Sequence, residues 1–177
     1  MDDYRDQLWR DGSVGPLAKT QPGTGIGVVR WVNDTNEVEE VFFQVLSGVI
    51  QGRMYAEKRW ITELYAIDGT TGNVPAGASI AATTIHETGN ATSMVYIAYL
   101  GKRGNLYGQS RGTRNVTKFS SFSSPTELAE GNGHHRTGLG CVGGESGDVR
   151  VYFVKDQKIL ELMNNNATSS NWTKNEL

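Results

Sequence analysis

The chain has 177 residues with 17 basic and 19 acidic side chains, long enough for one domain with a real core and short for two. Its formal charge of -2, 20% charged fraction, 22 glycines and four prolines exclude a disordered tail and leave no electrostatic footprint for DNA or RNA. One cysteine, Cys141, excludes a disulfide-stapled scaffold.

The apolar stretches reach only seven residues at most, far below the ~20 that span a bilayer, so no membrane insertion is expected. The opening Met1-Asp2-Asp3-Tyr4-Arg5-Asp6-Gln7 has neither a basic start nor an apolar core. No secretory signal is written there, and the expectation is a soluble protein, cytoplasmic or released without a conventional signal. Sequons at Asn33, Asn90, Asn115, Asn166 and Asn171 are then unused chemistry.

In chain order, residues 1–20 hold two short strand-like runs, one around Tyr4, Asp6, Leu8 and Trp9, the other Val14-Gly15-Pro16-Leu17. Residues 21–74 begin Pro22-Gly23-Thr24-Gly25-Ile26-Gly27 and continue through Val41-Phe42-Phe43-Gln44, Val49-Ile50-Gln51-Gly52-Arg53-Met54-Tyr55 and Arg59-Trp60-Ile61-Thr62. Residues 75–133 repeat the plan with Gly77-Ala78-Ser79-Ile80-Ala81-Ala82, Tyr96-Ile97-Ala98-Tyr99 and Asn105-Leu106-Tyr107-Gly108, ending near Phe119. Residues 134–177 repeat it again with Leu139-Gly140-Cys141-Val142, Arg150-Val151-Tyr152-Phe153 and Lys158-Ile159-Leu160-Glu161-Leu162, ending near Trp172. Period-two alternation, β-branched and aromatic enrichment, and Gly, Asn, Asp or Ser at the ends make these strands. Helix is nearly absent: residues 126–130 after Pro125 have the composition for one turn, and 159–163 tolerate helix but read as strand.

The equivalent positions Ile26, Ile80 and Leu139 stand 54 and 59 residues apart. Four short strands per unit at that period predict an all-β fold of propeller blades. Small residues on each first strand (Gly27, Ala81, Ala82, Gly140) would let blades approach at the axis. Phe42, Phe43, Tyr99, Tyr152 and Phe153 would fill the widening space outside. Residues 1–20 match only the outer two strands of a unit, so the chain encodes three blades and a partial one. Three blades do not close a ring, and open sheet faces are a hazard. A homo-oligomer, with a dimer favoured, is the expected solution.

These residues resemble the fungal fucose-specific lectins of the Aleuria aurantia type. The cues are the Pro-Gly-Thr-Gly-Ile-Gly opening at Pro22, Gly-Ala-Ser-Ile-Ala-Ala at Gly77, Arg150-Val151-Tyr152-Phe153, Ile159-Leu160-Glu161, and the run from Tyr55 to Thr62. The resemblance implies six-bladed propellers that bind L-fucose between adjacent blades without metal or cofactor. In that family an arginine of the second strand and a glutamate of the third bind the hydroxyls. Aromatics of the next blade stack on the sugar. Charged groups in fixed geometry suit a ligand rich in hydroxyls, and aromatic faces suit its C–H face and methyl. Carried over, the arginine and glutamate positions are Arg150 and Glu161 in the third unit, Glu40 and Gln51 in the first, Tyr96 and Tyr107 in the second. Asp6 takes the glutamate place in the N-terminal fragment. Tyr55 and Trp60 match the stacking pair over that fragment's pocket. Trp9 is placed to cap Arg150 and Glu161, and Trp172 to serve the pocket behind the third unit. Fucosylated glycans or glycoproteins are the implied partners.

Each residue also has a plainer reading. Arg150 and Glu161 would serve as a cross-strand surface pair, Trp60 and Trp172 as inter-blade core, and Trp31 as core. Gly138-Leu139-Gly140-Cys141-Val142-Gly143 fits the spacing of the dinucleotide-binding glycine motif, but no helix follows it. His86, His134 and His135 lack ligand spacing for a metal, and Cys141 reads as a small buried residue. Hydrolysis needs two carboxylates about 5–10 Å apart. The only acidic cluster, residues 37–40, reads as a solvated strand edge. A lectin is the leading reading, and an interaction propeller with degraded sites is the rival.

Overall fold

The computed structural model describes residues 20–33, 36–61, 65–67, 73–86, 93–113, 121–131, 134, 136–166 and 171–177. Three antiparallel sheets result. The first contains β1 (Gly27–Asn33), β2 (Asn36–Gln44), β3 (Ile50–Ala56) and β4 (Arg59–Trp60), with short β5 (Tyr65–Ala66) also on β3. The second runs β6 (Ile80–His86), β7 (Ser93–Leu100), β8 (Leu106–Gly112) and β9 (Thr126–Ala129). The third runs β10 (Leu139–Gly143), β11 (Val149–Lys155), β12 (Lys158–Asn164) and β13 (Thr173–Glu176). Each is a meander in chain order, and the all-β expectation holds. No helix among the described residues is long and apolar enough to cross a membrane.

The sheets stack face to face in two seams. The first seam buries Val29, Trp31, Val38, Phe42, Ile50 and Met54 of the first sheet against Ile80, Val95, Ile97 and Tyr99 of the second. The second seam buries Tyr96, Ala98, Leu100 and Leu106 against Val149, Val151, Phe153, Leu160 and Leu162 of the third. Alternate residues of the middle strand β7 therefore serve opposite seams, as period-two geometry requires.

The first strands of the sheets lie side by side at the inner edge, and small residues permit it. A Cβ on Gly27 would stand 2.9 Å from the Ala82 Cβ, and one on Gly143 would stand 2.0 Å from the Thr84 carbonyl oxygen. Gly140 departs from expectation: a Cβ there meets nothing within 4 Å, because Gly140 and its cross-strand partner Tyr152 lie on the uncovered face of the third sheet. Tyr152 is thus not packed between these sheets, unlike Phe42, Tyr99 and Phe153.

The helical turn expected at residues 126–130 is corrected. Thr126–Ala129 forms β9, pairing Glu127 with Tyr107 of β8. Four or five residues cannot meet the cost of helix nucleation, whereas the edge of β8 offers ready backbone partners. Residues 159–163 form a strand as read, within β12.

Candidate functional site

The outer face of the third sheet gathers the polar residues that the sequence points to. In β11, Val149, Val151 and Phe153 turn into the second seam, which sends Arg150 and Tyr152 to the other face. Tyr152 stands opposite Glu161, and Glu161 stands opposite Asn175 of β13. The Tyr152 hydroxyl donates to Glu161 Oε1 at 2.9 Å, and Asn175 Nδ2 donates to Oε2 at 3.0 Å. Arg150 Nη1 approaches Oε1 at 3.4 Å, while its Nε lies 4.0 Å from Asp148.

The Glu161 carboxylate is therefore held from both sides. The Asn175 hydrogen bond first, then that of Tyr152, keeps its carboxyl below the usual carboxylate range. The Arg150 side chain is 45% exposed against 10% for Glu161, and its contacts are long. The pair offers a fixed acceptor beside an accessible guanidinium, the chemistry that grips vicinal hydroxyls. Sequence reasoning missed two members. Tyr152 had a signal, since a residue two along a strand from Arg150 shares its face. Asn175 had none, because the loop before β13 hides the pairing.

Strand register identifies the matching positions in the other sheets. Val142 pairs with Arg150, Val29 with Glu40, and Thr83 with Tyr96, so Glu40, Tyr96 and Arg150 are equivalent, as the sequence implies. The glutamate partners assigned from spacing need correction. Phe42 faces Gly52 and Ala98 faces Gly108, where Tyr152 faces Glu161. Gly52 and Gly108 therefore take the glutamate place, while Gln51 and Tyr107 lie on the opposite faces of their sheets.

Both seams are filled at this position. Glu40, expected in a solvated acidic cluster, is buried, and Arg111 Nη2 donates to its two oxygens at 2.5 and 2.6 Å. Burial outweighs the pull of the guanidinium and pushes the Glu40 carboxyl up to about 7. Arg111 also lies over Trp31 and Phe122, 5.7 and 5.3 Å from their centroids. In the second seam Tyr96 occupies the space itself. A Cβ on Gly108 would fall 1.9 Å from its hydroxyl, and the Trp172 ring lies 6.1 Å from the Tyr96 ring.

The aromatic candidates are thus distributed. Trp172 belongs to the second seam, against Tyr96. Tyr55 and Trp60 pair across β3 and β4 with ring centroids 5.4 Å apart, and the Arg53 guanidinium lies 5.4 Å from the Trp60 centroid. Met54 and Ala56 turn into the first seam, so Tyr55 lies on the outer face of the first sheet, at the opposite end of the stack from Arg150. Trp9 and Asp6 lie outside the described residues. Trp31 is core, and burial pushes the Cys141 thiol up to about 12.

No protein-family model matches the chain, and no curated protein sequence matches it. Solved structures do. AofleA from Arthrobotrys oligospora superposes with a TM-score of 0.66 at 14% identity, over 90% of this chain and 44% of that one. The fucose-specific lectin from Aleuria aurantia gives 0.60 at 18% identity over 89% and 46%. SapL1 lectin, solved with α-methyl fucoside, gives 0.59 at 16% identity over 89% and 48%. The Aleuria protein is a six-bladed β-propeller. The resemblance read from the sequence is borne out at the level of fold: the three sheets are propeller blades. The chain spans less than half the length of those three superposed structures.

Proposed function

We propose that this chain is a carbohydrate-binding lectin that takes L-fucose and fucosylated glycans in clefts between blades, without catalysis. The observation that carries the reading is the outer face of the third sheet, where Tyr152 and Asn175 fix Glu161 beside a half-exposed Arg150. A surface ion pair needs no such support, and a long, half-exposed contact of this kind adds little stability by itself. The fold supports the same reading, since Aleuria aurantia lectin and SapL1 were each solved with an α-methyl fucoside.

Arg150 supplies charged donors, Glu161 the acceptor, and an adjoining blade the aromatic platform. Closure of the ring as a homo-oligomer belongs to this proposal. Calorimetry with free L-fucose and an array of fucosylated glycans test it. Weak monovalent binding is expected, lost in Arg150→Ala; no response to any fucoside at millimolar sugar would refute it.

A second reading, an interaction propeller with degraded sugar sites, draws on the filled seams. In the three described sheets two glutamate positions, Gly52 and Gly108, are glycine, and Glu40 is buried against Arg111. Binding at the Arg150 face alone would separate the readings, because a degraded propeller gives no sugar response there either.

A further inference from the structure

The five Asn-X-Thr sequons share one end of the fold. Each sheet is a meander, so its first and third strands finish at the same end: β1 and β3, β6 and β8, β10 and β12. The three ends coincide, because the first strands run in parallel. Near their starts the Gly25 N–H donates to the Ala78 carbonyl at 2.9 Å and Ser79 Oγ to the Thr137 carbonyl at 2.6 Å. Near their finishes Thr84 Oγ1 donates to the Arg30 carbonyl at 3.2 Å and the His86 N–H to the Gly144 carbonyl at 3.3 Å. Asn33 closes β1, Asn90 falls between β6 and β7, Asn115 between β8 and β9, and Asn166 and Asn171 between β12 and β13. Asn90 and Asn115 lie outside the described residues, and chain order alone assigns their segments to connections that leave this end.

Asparagine itself is not confined there. Asn73, Asn105 and Asn132 belong to connections of the opposite end, and each lacks Ser or Thr two places on. That opposite end is crossed by chain. Gln44 Nε2 donates to the Val74 and Pro75 carbonyls, its Oε1 accepts from the Gly77 N–H, and Arg136 Nη2 donates to the Ala76 carbonyl. A Cβ on Gly131 would stand 2.0 Å from the Gly104 carbonyl carbon. A bulky polar attachment has no room among such segments and fits only where an asparagine ends in solvent. Asn166 and Asn171 do so: both are exposed. Trp172 is seated against Tyr96 in the second seam, while its neighbours Asn171 and Thr173 stay exposed.

We infer that the end of the blades where the first and third strands finish is an N-glycosylated rim, with Asn166 and Asn171 of the loop before β13 as acceptors. The donor is an oligosaccharide carried on a lipid diphosphate. The Asn Nδ2 forms a bond to the anomeric carbon of the sugar as the bond from that carbon to the diphosphate oxygen breaks. The lipid diphosphate leaves with the electron pair, and the amide gives one proton to a base of the transferring enzyme. This chemistry belongs to a secretory compartment, against the expectation of unused acceptors drawn from the opening residues. It clothes one end of the blades in sugar and leaves the packed end bare.

Intact-mass spectrometry of the chain as its own source makes it, before and after peptide N-glycosidase in heavy-oxygen water, tests the inference. A mass that falls on treatment is expected, with Asn166 and Asn171 each recovered as a labelled aspartate. A mass that the enzyme does not change overturns the inference, and either asparagine left unlabelled overturns it at that residue. In the full chain secreted from yeast, Thr173→Ala should lose one oligosaccharide that Thr173→Ser keeps. An unchanged count in Thr173→Ala removes Asn171 from the rim. The inference does not need the lectin reading: a glycosylated chain that answers no fucoside refutes that reading and leaves the rim standing.

Discussion

The first seam and the outer face of the third sheet put opposite charges at the same strand position. In the seam, Glu40 sits where the third sheet has Arg150, and the next sheet reaches over with Arg111 to pair with it. On the outer face, Arg150 finds its carboxylate on its own sheet, in Glu161. On the lectin reading, that difference decides whether a seam is filled or left open to a ligand. A charge answered from the neighbouring blade fills the seam, while a charge answered within its own blade stays half-exposed on the sheet's outer face.

The largest effect should come from breaking the closed version. Glu40→Ala leaves Arg111 buried without its carboxylate and should cost about 3–5 kcal/mol in urea denaturation. Replacing both residues by apolar ones of similar volume should recover most of it. Arg150→Ala should do the reverse, weakening fucose binding by about tenfold or more while leaving the melting temperature unmoved. Gly108→Ala, which drives a methyl into the Tyr96 hydroxyl, should cost about 1–3 kcal/mol by overpacking the second seam.

The two carboxylates should also part company with pH. The Glu40 carboxyl, raised from 4.5 to about 7 by burial, binds a proton more readily folded than unfolded. Its contribution is full below the unfolded value and is lost as pH rises through about 7, so the melting temperature should decline between about pH 5 and pH 8. Glu40→Gln should flatten that slope. Glu161 is held below the usual range by Asn175 and Tyr152 and stays ionised across the same interval, so fucose binding should remain level there and fall only in stronger acid. The smallest effect is Asn175→Ala, which should weaken binding about fivefold, as the loss of one neutral hydrogen bond implies, and move that acid limb upward.

Much of this was legible in the sequence. Gly27, Ala81 and Gly140 did mark equivalent inner-strand positions, and Arg150 and Glu161 did share a face. What spacing could not convey was parity. Asp156 and Gln157, both at positive φ, close β11 and β12 with a two-residue turn. Leu46-Ser47-Gly48 lies between the bonded residues Val45 and Val49, and residues 102–104 between Gly101 and Asn105. Each of those hairpins carries one residue more, so counting eleven from Glu40 or Tyr96 lands on the wrong face. The burial of Glu40 was hidden for a different reason: its partner Arg111 lies 71 residues away, and no local pattern announces a pair that only blade stacking creates.

The three-residue hairpin at Leu46-Ser47-Gly48 has a consequence at the level of the gene. Loss of a single codon there would swing every later residue of β3 to the opposite side, bringing Gln51 inward and turning Met54 out to solvent. Repeats of this kind can therefore gain or lose a ligand cleft through one insertion or deletion, with no change in the identity of the side chains involved.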